Sequence, residues 1–122
     1  MSQRVLITAG AGGIGRVMAQ SFDAEGAQVW VVDNNADALA QCPDHWRKSC
    51  LDVTDESSVS SLFKELATDW GSVDTLCSNA GIAGPGNPIE DVALADWRAC
   101  VSVSLEGAFL FAKYAAPLMK AQ

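Results

Sequence analysis

The stretch from Thr8 to Gly15 constrains the fold more than any other part of the chain, and its sequence is TAGAGGIG. It follows the apolar run Val5–Ile7 and precedes apolar residues at helical spacing, which predicts a strand, a glycine turn and a helix. Gly10 and Gly12 permit a tight turn and a close approach of the backbone to a pyrophosphate, while Gly15 lets the helix pack on the strand. Because a helix N-terminus offers free N–H groups and a positive dipole end, the pattern predicts a phosphate cradle.

Asp33 strengthens this interpretation, because it ends the next apolar run, Val29–Val32. An acid at the end of the second strand, about 20 residues beyond the glycines, is where a ribose diol is bound in dinucleotide sites. A GxGxxG spacing alone is weak evidence, since a glycine-rich turn can exist without any ligand. The two features together favour a dinucleotide site over a turn that binds nothing.

Composition limits what this site can belong to. The chain has 122 residues, 49% of them hydrophobic, which is enough for one domain over residues 1–122 with a core of its own. Eight Lys and Arg against fifteen Asp and Glu give a net charge of −7, and this offers no basic surface for nucleic acid or an anionic membrane. No basic leader precedes the first strand, and no uninterrupted apolar run approaches the roughly 18 residues of a membrane span. We therefore expect neither nucleic-acid binding nor secretion nor membrane insertion.

The cysteines indicate a reducing environment. They are widely and irregularly spaced and include no CxxC pair, the spacing typical of metal and redox sites. The four are Cys42, Cys50, Cys77 and Cys100. We expect free thiols in a cytoplasmic protein and no metal site.

Strand and helix patterns alternate along the chain. The predicted strands are residues 4–8, 28–33, 47–51 and 73–77, and the predicted helices are 13–25, a short one from the Asn34-Asn35 turn to Ala40, one from a Thr54 cap to Gly71, a short one around 91–97 and a long one from 98 to 120. Such alternation predicts an α/β fold, a doubly wound parallel sheet built from Rossmann-type βαβ units, with ligand at the carboxyl ends of the strands.

Four motifs in this order resemble the short-chain dehydrogenase/reductase family, and the resemblance runs along the whole chain. The family's TGxxxGIG lies over Thr8–Gly15, its acid after the second strand over Asp33, its Asp-Val over Asp52-Val53, and its Asn-Ala-Gly over Asn79-Ala80-Gly81. The resemblance covers only the first half of the family pattern, so the expected sheet stops after its fourth strand and the helices that follow. The chain is therefore expected to be an incomplete dinucleotide-binding domain.

Site residues follow from the resemblance. The glycine stretch would cradle the pyrophosphate of the cofactor, through Gly10, Gly12, Gly13, Ile14 and Gly15. Asp33 would hold the adenosine ribose hydroxyls, and Asp52 and Val53 would flank the adenine. Asn79, followed by Ala80 and Gly81, would brace the sheet beneath the cofactor. These residues together predict a bound nicotinamide dinucleotide.

Two positions depart from the family pattern. Ala9 occupies the place of the first glycine of the signature, although the GxGxxG spacing from Gly10 survives. Ser104 stands in Val103–Gly107 where the family has an asparagine that helps to organise a proton relay. A relay through Ser104 and water stays open on the sequence alone.

Catalytic groups are not expected within the chain. By the resemblance, the family's Ser and Tyr-x-x-x-Lys belong beyond residue 122, and Tyr114 has Leu118 instead of lysine four residues later. A tyrosine transfers a proton to or from a substrate oxygen only when its pKa is lowered, for which the family uses that lysine. We therefore expect Tyr114 to lie on a packed helix face and residues 1–122 alone to be inactive.

The expected function is the NAD-binding part of an oxidoreductase that transfers hydride between NAD(H) and a carbonyl or alcohol. NAD is preferred to NADP because Asp33 would repel a 2′-phosphate and neither Gly12 nor Asn34 is basic. The alternatives are a non-catalytic NAD-binding module and a self-associating structural partner. The exposed edge of strand 73–77 and the apolar circumference of the last helix predict a homo-oligomer.

Overall fold

The computed structural model describes residues 2–122, which form a parallel four-stranded sheet with helices on both faces. The elements in chain order are β1 (Arg4–Thr8), α1 (Gly13–Ala24), β2 (Gln28–Asp33), α2 (Ala36–Ala40), β3 (Arg47–Cys50), α3 (Glu56–Asp69), β4 (Thr75–Cys77), α4 (Leu94–Val101) and α5 (Gly107–Ala121). The strand order is β3-β2-β1-β4, so β1 is central and pairs with both β2 and β4. The predicted doubly wound α/β fold is confirmed.

Alternating residues of the strands separate two cores. Leu6 and Trp30, which pair in register, point to the face covered by α3 and α5. Val5 and Val31 point to the opposite face, covered by α1 and α2. All four side chains are fully buried, because a parallel sheet covered on both faces leaves neither side of its strands in water.

The capping chemistry of the short and the amphipathic helix differs. Asn35 caps α2 as predicted, because its side chain accepts a hydrogen bond from the Ala38 N–H at 3.0 Å. Thr54 does not cap α3, where Asp55 occupies the cap position. The Thr54 hydroxyl instead donates to Asp52 at 2.7 Å, which removes it from the helix end.

The end of the chain departs most from the prediction. The expected break near residue 98 is wrong, because α4 and α5 form one continuous helix over Leu94–Ala121, joined through the wider, π-type turns of Ser102–Glu106. A Cβ on Gly107 would lie 2.9 Å from the Val53 side chain, so α5 starts in close contact with the loop after β3. The widened turns directly precede Gly107, and the helix continues through them.

The helix over Leu94–Ala121 is also long and apolar enough to cross a membrane, with a mean hydropathy of 1.2 in its most apolar window, of which 22% is buried. A single helix of this kind is weak evidence for a span, because core helices of globular proteins share its length and composition. The expectation that the chain stays outside membranes remains a prediction.

Candidate functional site

A cleft of about 160 Å³ lies at the carboxyl ends of the strands. Its wall is formed by residues at or just after the carboxyl ends of β1, β2, β3 and β4 and by one residue of the last helix. They are Ala9, Asp33, Asn34, Leu51, Asp52, Val53, Ala80, Gly81, Ile82 and Val103. The strands after β1 are added first on one side of it, as β2 and β3, and then on its other side, as β4. Open α/β sheets bind ligands at the point where the direction of strand addition reverses.

In the glycine turn after β1, some glycines pack against the sheet and others are open to solvent. A Cβ on Gly10 would lie 2.6 Å from a Val31 methyl, and one on Gly15 would lie 2.2 Å from the Ala9 carbonyl oxygen. These two glycines therefore let α1 and the turn approach the sheet. The left-handed residues of the turn are Ala9 and Gly13, both at φ +53°, so the tight turn expected at Gly10 and Gly12 is formed by their neighbours.

Gly12 is limited neither by close packing nor by a left-handed backbone conformation. Its backbone is extended, at φ −156°, and a Cβ built on it meets no atom within 4 Å. The position is open to solvent directly before the first turn of α1, where Gly13 and Ile14 are exposed as well. The space beside free N–H groups at a helix start is suited to an anion.

The Asp33 carboxylate is held in place by backbone. One oxygen accepts a hydrogen bond from the Ala11 N–H at 3.2 Å, and the other accepts one from the Asn35 N–H at 3.1 Å. Asp33 forms no ion pair within residues 2–122. A carboxylate with two oxygens has about four acceptor sites, so it keeps capacity for hydroxyl donors in the cleft.

Asp52 and Val53 form the wall next to β3. An Asp52 oxygen accepts from the Thr54 N–H at 2.9 Å and from the Thr54 hydroxyl, and these bonds lower the pKa of Asp52 below its ordinary value. Val53 is buried against Gly107. This wall therefore presents a fixed carboxylate beside an apolar surface.

The loop after β4 is tied to β1. The Thr8 hydroxyl oxygen accepts from the N–H groups of Asn79 and Ala80, both at 2.9 Å, and is buried. The Asn79 side chain donates to the Ala9 carbonyl at 3.5 Å, beneath the glycine turn. Asn79 thus lies under the cleft floor and not in its lining.

The structure groups the expected site residues in three layers. Asp33, Asp52, Val53, Ala80 and Gly81 line the cleft. The exposed rim contains Gly12, Gly13 and Ile14, and the layer beneath it contains the buried Gly10 and Gly15 and the partly buried Asn79.

Besides Ala9, which lies within the glycine signature, four cleft residues were not expected from the sequence. Leu51 and Asn34 adjoin residues that were, and Ile82 directly follows the Asn-Ala-Gly motif. Val103 belongs to the stretch that resembles the family pattern around Ser104. Adjacency to strand ends was the available signal for the first three, whereas the place of Val103 depends on how the last helix packs.

Tyr114 lies outside the cleft. Its hydroxyl donates to Glu56 at 2.8 Å, and its ring stacks on Phe63 with centroids 6.2 Å apart. Lys113 also contacts Glu56, at 2.6 Å, and these bonds lower the pKa of that carboxyl. The structure places Tyr114 in packing between α3 and α5.

Comparison with known proteins identifies the family. The short chain dehydrogenase family pattern matches residues 3–122, and the chain belongs to this family. The chain is 36% identical over 122 residues to cis-4-hydroxycyclohexanecarboxylate dehydrogenase of Sinomonas cyclohexanicum, covering 95% of this chain and 49% of that protein. It is 32% identical over 117 residues to 2-dehydro-3-deoxy-L-rhamnonate dehydrogenase (NAD(+)) of Sphingomonas sp. (strain SKA58), covering 93% and 47%.

A solved structure of NAD⁺-bound xylitol dehydrogenase superposes with a TM-score of 0.94 at 28% identity, covering 98% of this chain and 49% of that one. The chain therefore spans about half the length of each of these three relatives. The resemblance to the first half of the family pattern is confirmed.

Proposed function

We propose that this chain binds NAD(H) in the cleft and forms the cofactor-binding part of an oxidoreductase acting on a carbonyl or alcohol substrate. The anchored carboxylate of Asp33, without a cationic partner among residues 2–122, carries this proposal. Bound NAD(H) supplies the hydride donor or acceptor. The chain's own residues bind and orient it.

Each part of the cleft has a proposed role. Asp33 accepts hydrogen bonds from the adenosine ribose hydroxyls, and the open space at Gly12 receives the pyrophosphate at the start of α1. Asp52 and Val53 lie beside the adenine. The buried glycines and Asn79 hold this geometry without touching the cofactor.

Asp33 also makes the site selective for NAD(H) over NADP(H). A 2′-phosphate would place a second negative charge against its carboxylate, and the adjoining positions Gly12 and Asn34 carry no cation to offset it. The name of the relative 2-dehydro-3-deoxy-L-rhamnonate dehydrogenase (NAD(+)) supports this preference.

Calorimetric titration with both cofactors tests the proposal. We expect NAD⁺ to bind at least about tenfold more tightly than NADP⁺, equivalent to about 1.4 kcal/mol. Asp33→Asn removes the charge but keeps an oxygen acceptor, so it should narrow the gap, whereas Asp37→Asn on α2 removes a charge outside the cleft and should leave it unchanged. Equal or tighter binding of NADP⁺ by the unmodified chain would refute the preference.

Residues 1–122 alone are proposed to bind cofactor without turnover. The Tyr114 hydroxyl is bonded to Glu56 of α3 and Tyr114 does not line the cleft, so it is not placed to reach a substrate oxygen there. NADH absorbance measured across a panel of alcohols and ketones should stay constant. Turnover that survives Tyr114→Phe would reveal a catalytic group elsewhere in the chain. Full loss of cofactor binding with an intact fold would instead favour a structural partner.

Self-association is the second proposal, carried by apolar side chains that stay exposed along the last helix. Trp97, Leu105 and Phe109 are 54%, 66% and 62% exposed. Burying such a stripe against a second copy would remove it from water. Light scattering coupled to size exclusion should give a mass above the 12.8 kDa of one chain, and a stable monomer would contradict this proposal.

A further inference from the structure

The loop that follows β4 is hydrogen-bonded to the rest of the described chain through a single residue between positions 81 and 87. From residue 81 to residue 87, the hydrogen bonds within the described part of the chain are those between Ile82 and Ser104. The Ser104 hydroxyl oxygen accepts from the Ile82 N–H at 3.3 Å, and the hydroxyl donates to the Ile82 carbonyl at 3.5 Å. A single side chain thus binds both polar groups of one loop residue.

Two glycines bring this loop close to the helix. A Cβ on Gly81 would lie 3.4 Å from the Ser104 hydroxyl oxygen, and one on Gly84 would lie 2.7 Å from the Cys100 sulfur. Cys100 and Ser104 are one helical turn apart, and Ser104 lies in the middle of the widened turns of Ser102–Glu106. The loop therefore lies too close to the helix at Gly84 for a larger residue, whereas at Gly81 it lies at ordinary contact distance from Ser104.

Ile82 and Gly81 line the cleft, opposite the residues after β2 and β3. The preceding residues Asn79 and Ala80 are held by Thr8, so the segment is fixed at its start by Thr8 and at its end by Ser104. A displacement of Ile82 would change the width of the cleft.

We propose that Ser104 is a positioning residue that fixes Ile82 and, through it, one wall of the cofactor cleft. The Ser104 hydroxyl oxygen accepts from the Ile82 N–H and lies 3.5 Å from the Ile82 carbonyl oxygen, so the side chain is directed at both polar backbone groups of this one loop residue. The inference rests on the proposed NAD(H) binding.

The test combines NMR hydrogen exchange of the Ile82 amide with calorimetric NAD⁺ affinity, on the full 122-residue chain. Ser104→Ala should speed exchange at Ile82 about fivefold, the effect of losing one ordinary hydrogen bond, and should raise the dissociation constant about three- to tenfold. Ser104→Thr retains the hydroxyl and should restore both values. Ser102→Ala is the matched control, because the Ser102 side chain makes no hydrogen bond within residues 2–122.

Unchanged Ile82 exchange in Ser104→Ala would overturn the inference. Faster exchange with unchanged NAD⁺ affinity would also overturn it, since the tie would then exist without positioning the cleft. If the unmodified chain binds no NAD⁺, the proposed function fails together with the positioning role, and the exchange data still establish or refute the bond between Ser104 and Ile82.

Discussion

The sheet buries its apolar side chains, whereas the segment after β4 leaves several of them exposed. Leu6, Ile7 and Trp30 have no exposed surface, whereas Ile89 is 82% exposed and Leu94 is 59% exposed. Both regions are rich in apolar residues, so hydrophobicity alone does not decide burial. A strand in the middle of a parallel sheet is covered from both faces, while the last helix packs only one side on that sheet. Its other side is a surface for contacts that the sheet does not provide.

The two phenylalanines of α5 test this contrast most strongly. Phe111 is fully buried, with its ring 5.7 Å from that of Phe63, whereas Phe109 is 62% exposed. We expect Phe111→Ala to lower the free energy of unfolding by about 3–5 kcal/mol because it opens a cavity in the core. Phe109→Ala should change it by no more than about 0.5 kcal/mol at a concentration where the chain is monomeric.

Urea unfolding followed by circular dichroism measures both variants. Similar losses of stability for Phe109→Ala and Phe111→Ala would show that the two sides of α5 are equally packed, contrary to the structure.

The glycine turn contains a similar contrast over a shorter distance. Gly15→Ala should cost about 3 kcal/mol, because its Cβ would collide with the Ala9 carbonyl in a packed region. Gly12→Ala should leave most of the stability intact, since nothing lies within 4 Å of its Cβ, yet it should weaken NAD⁺ binding about tenfold by occupying the anion space. Urea unfolding measures the stability of both variants, and calorimetric titration measures their affinity for NAD⁺. Unchanged NAD⁺ affinity in Gly12→Ala would contradict the proposal that the pyrophosphate binds at this position.

Ala9→Gly should strengthen the turn. Ala9 is the one residue other than glycine with positive φ in the described part of the chain, at +53°, and a Cβ is unfavourable there. We expect a gain of about 0.5–1 kcal/mol, because relief of strain exceeds the added entropy of the unfolded glycine. Thermal unfolding measures the change, with Ala36→Gly in α2 as a control that should destabilise. A loss of stability in Ala9→Gly would contradict the left-handed conformation.

The smallest expected effect lies at the opposite ends of the strands, away from the cleft. Asp74 accepts hydrogen bonds from the Arg4 side chain and backbone, at 2.9 Å and 2.8 Å, and these bonds lower the pKa of Asp74 to about 2. Because the folded pKa is below the unfolded value near 3.8, this pair stabilises the fold above about pH 3.8, and the contribution is lost as the pH falls towards 2.

Asp74→Asn should therefore flatten the acid side of the stability profile between these pH values. Unfolding by urea at a series of pH values measures the slope. Asp91→Asn removes an equal charge from a carboxyl without an ion pair in residues 2–122, and it should leave the slope unchanged. An identical slope in Asp74→Asn and the unmodified chain would show that the Arg4 pair does not couple to folding.

Much of the sheet could be predicted because its signals are local. Short apolar runs that end in glycine or acidic residues mark β1 and β2, and Asn35 carries its own capping oxygen. The end of the chain was predicted poorly because its form depends on distant contacts. Two contacts there join residues far apart in sequence, that of Gly107 with Val53 and that of Ser104 with Ile82. The hydrophobic periodicity of the helix also gives no signal for a widened turn.

The site shows the same division. The order of the motifs correctly predicted that Asp33 and Asp52 line one cleft, because parallel strands end at the same edge of the sheet. Motif order did not reveal which glycines pack and which stay open, since that depends on whether Val31 or the Ala9 carbonyl lies opposite each missing side chain.

Backbone amide shifts followed by NMR during titration of the chain with NAD⁺ test the central proposal most directly. We expect saturable shifts in the glycine turn around Gly12, at Asp33, at Asp52 and Val53, and at Ile82, because these residues surround one cleft. The exposed stripe of Trp97 and Phe109 should not respond. An absence of shifts at saturating NAD⁺, or shifts confined to that stripe, would contradict a dinucleotide site at the carboxyl ends of the strands.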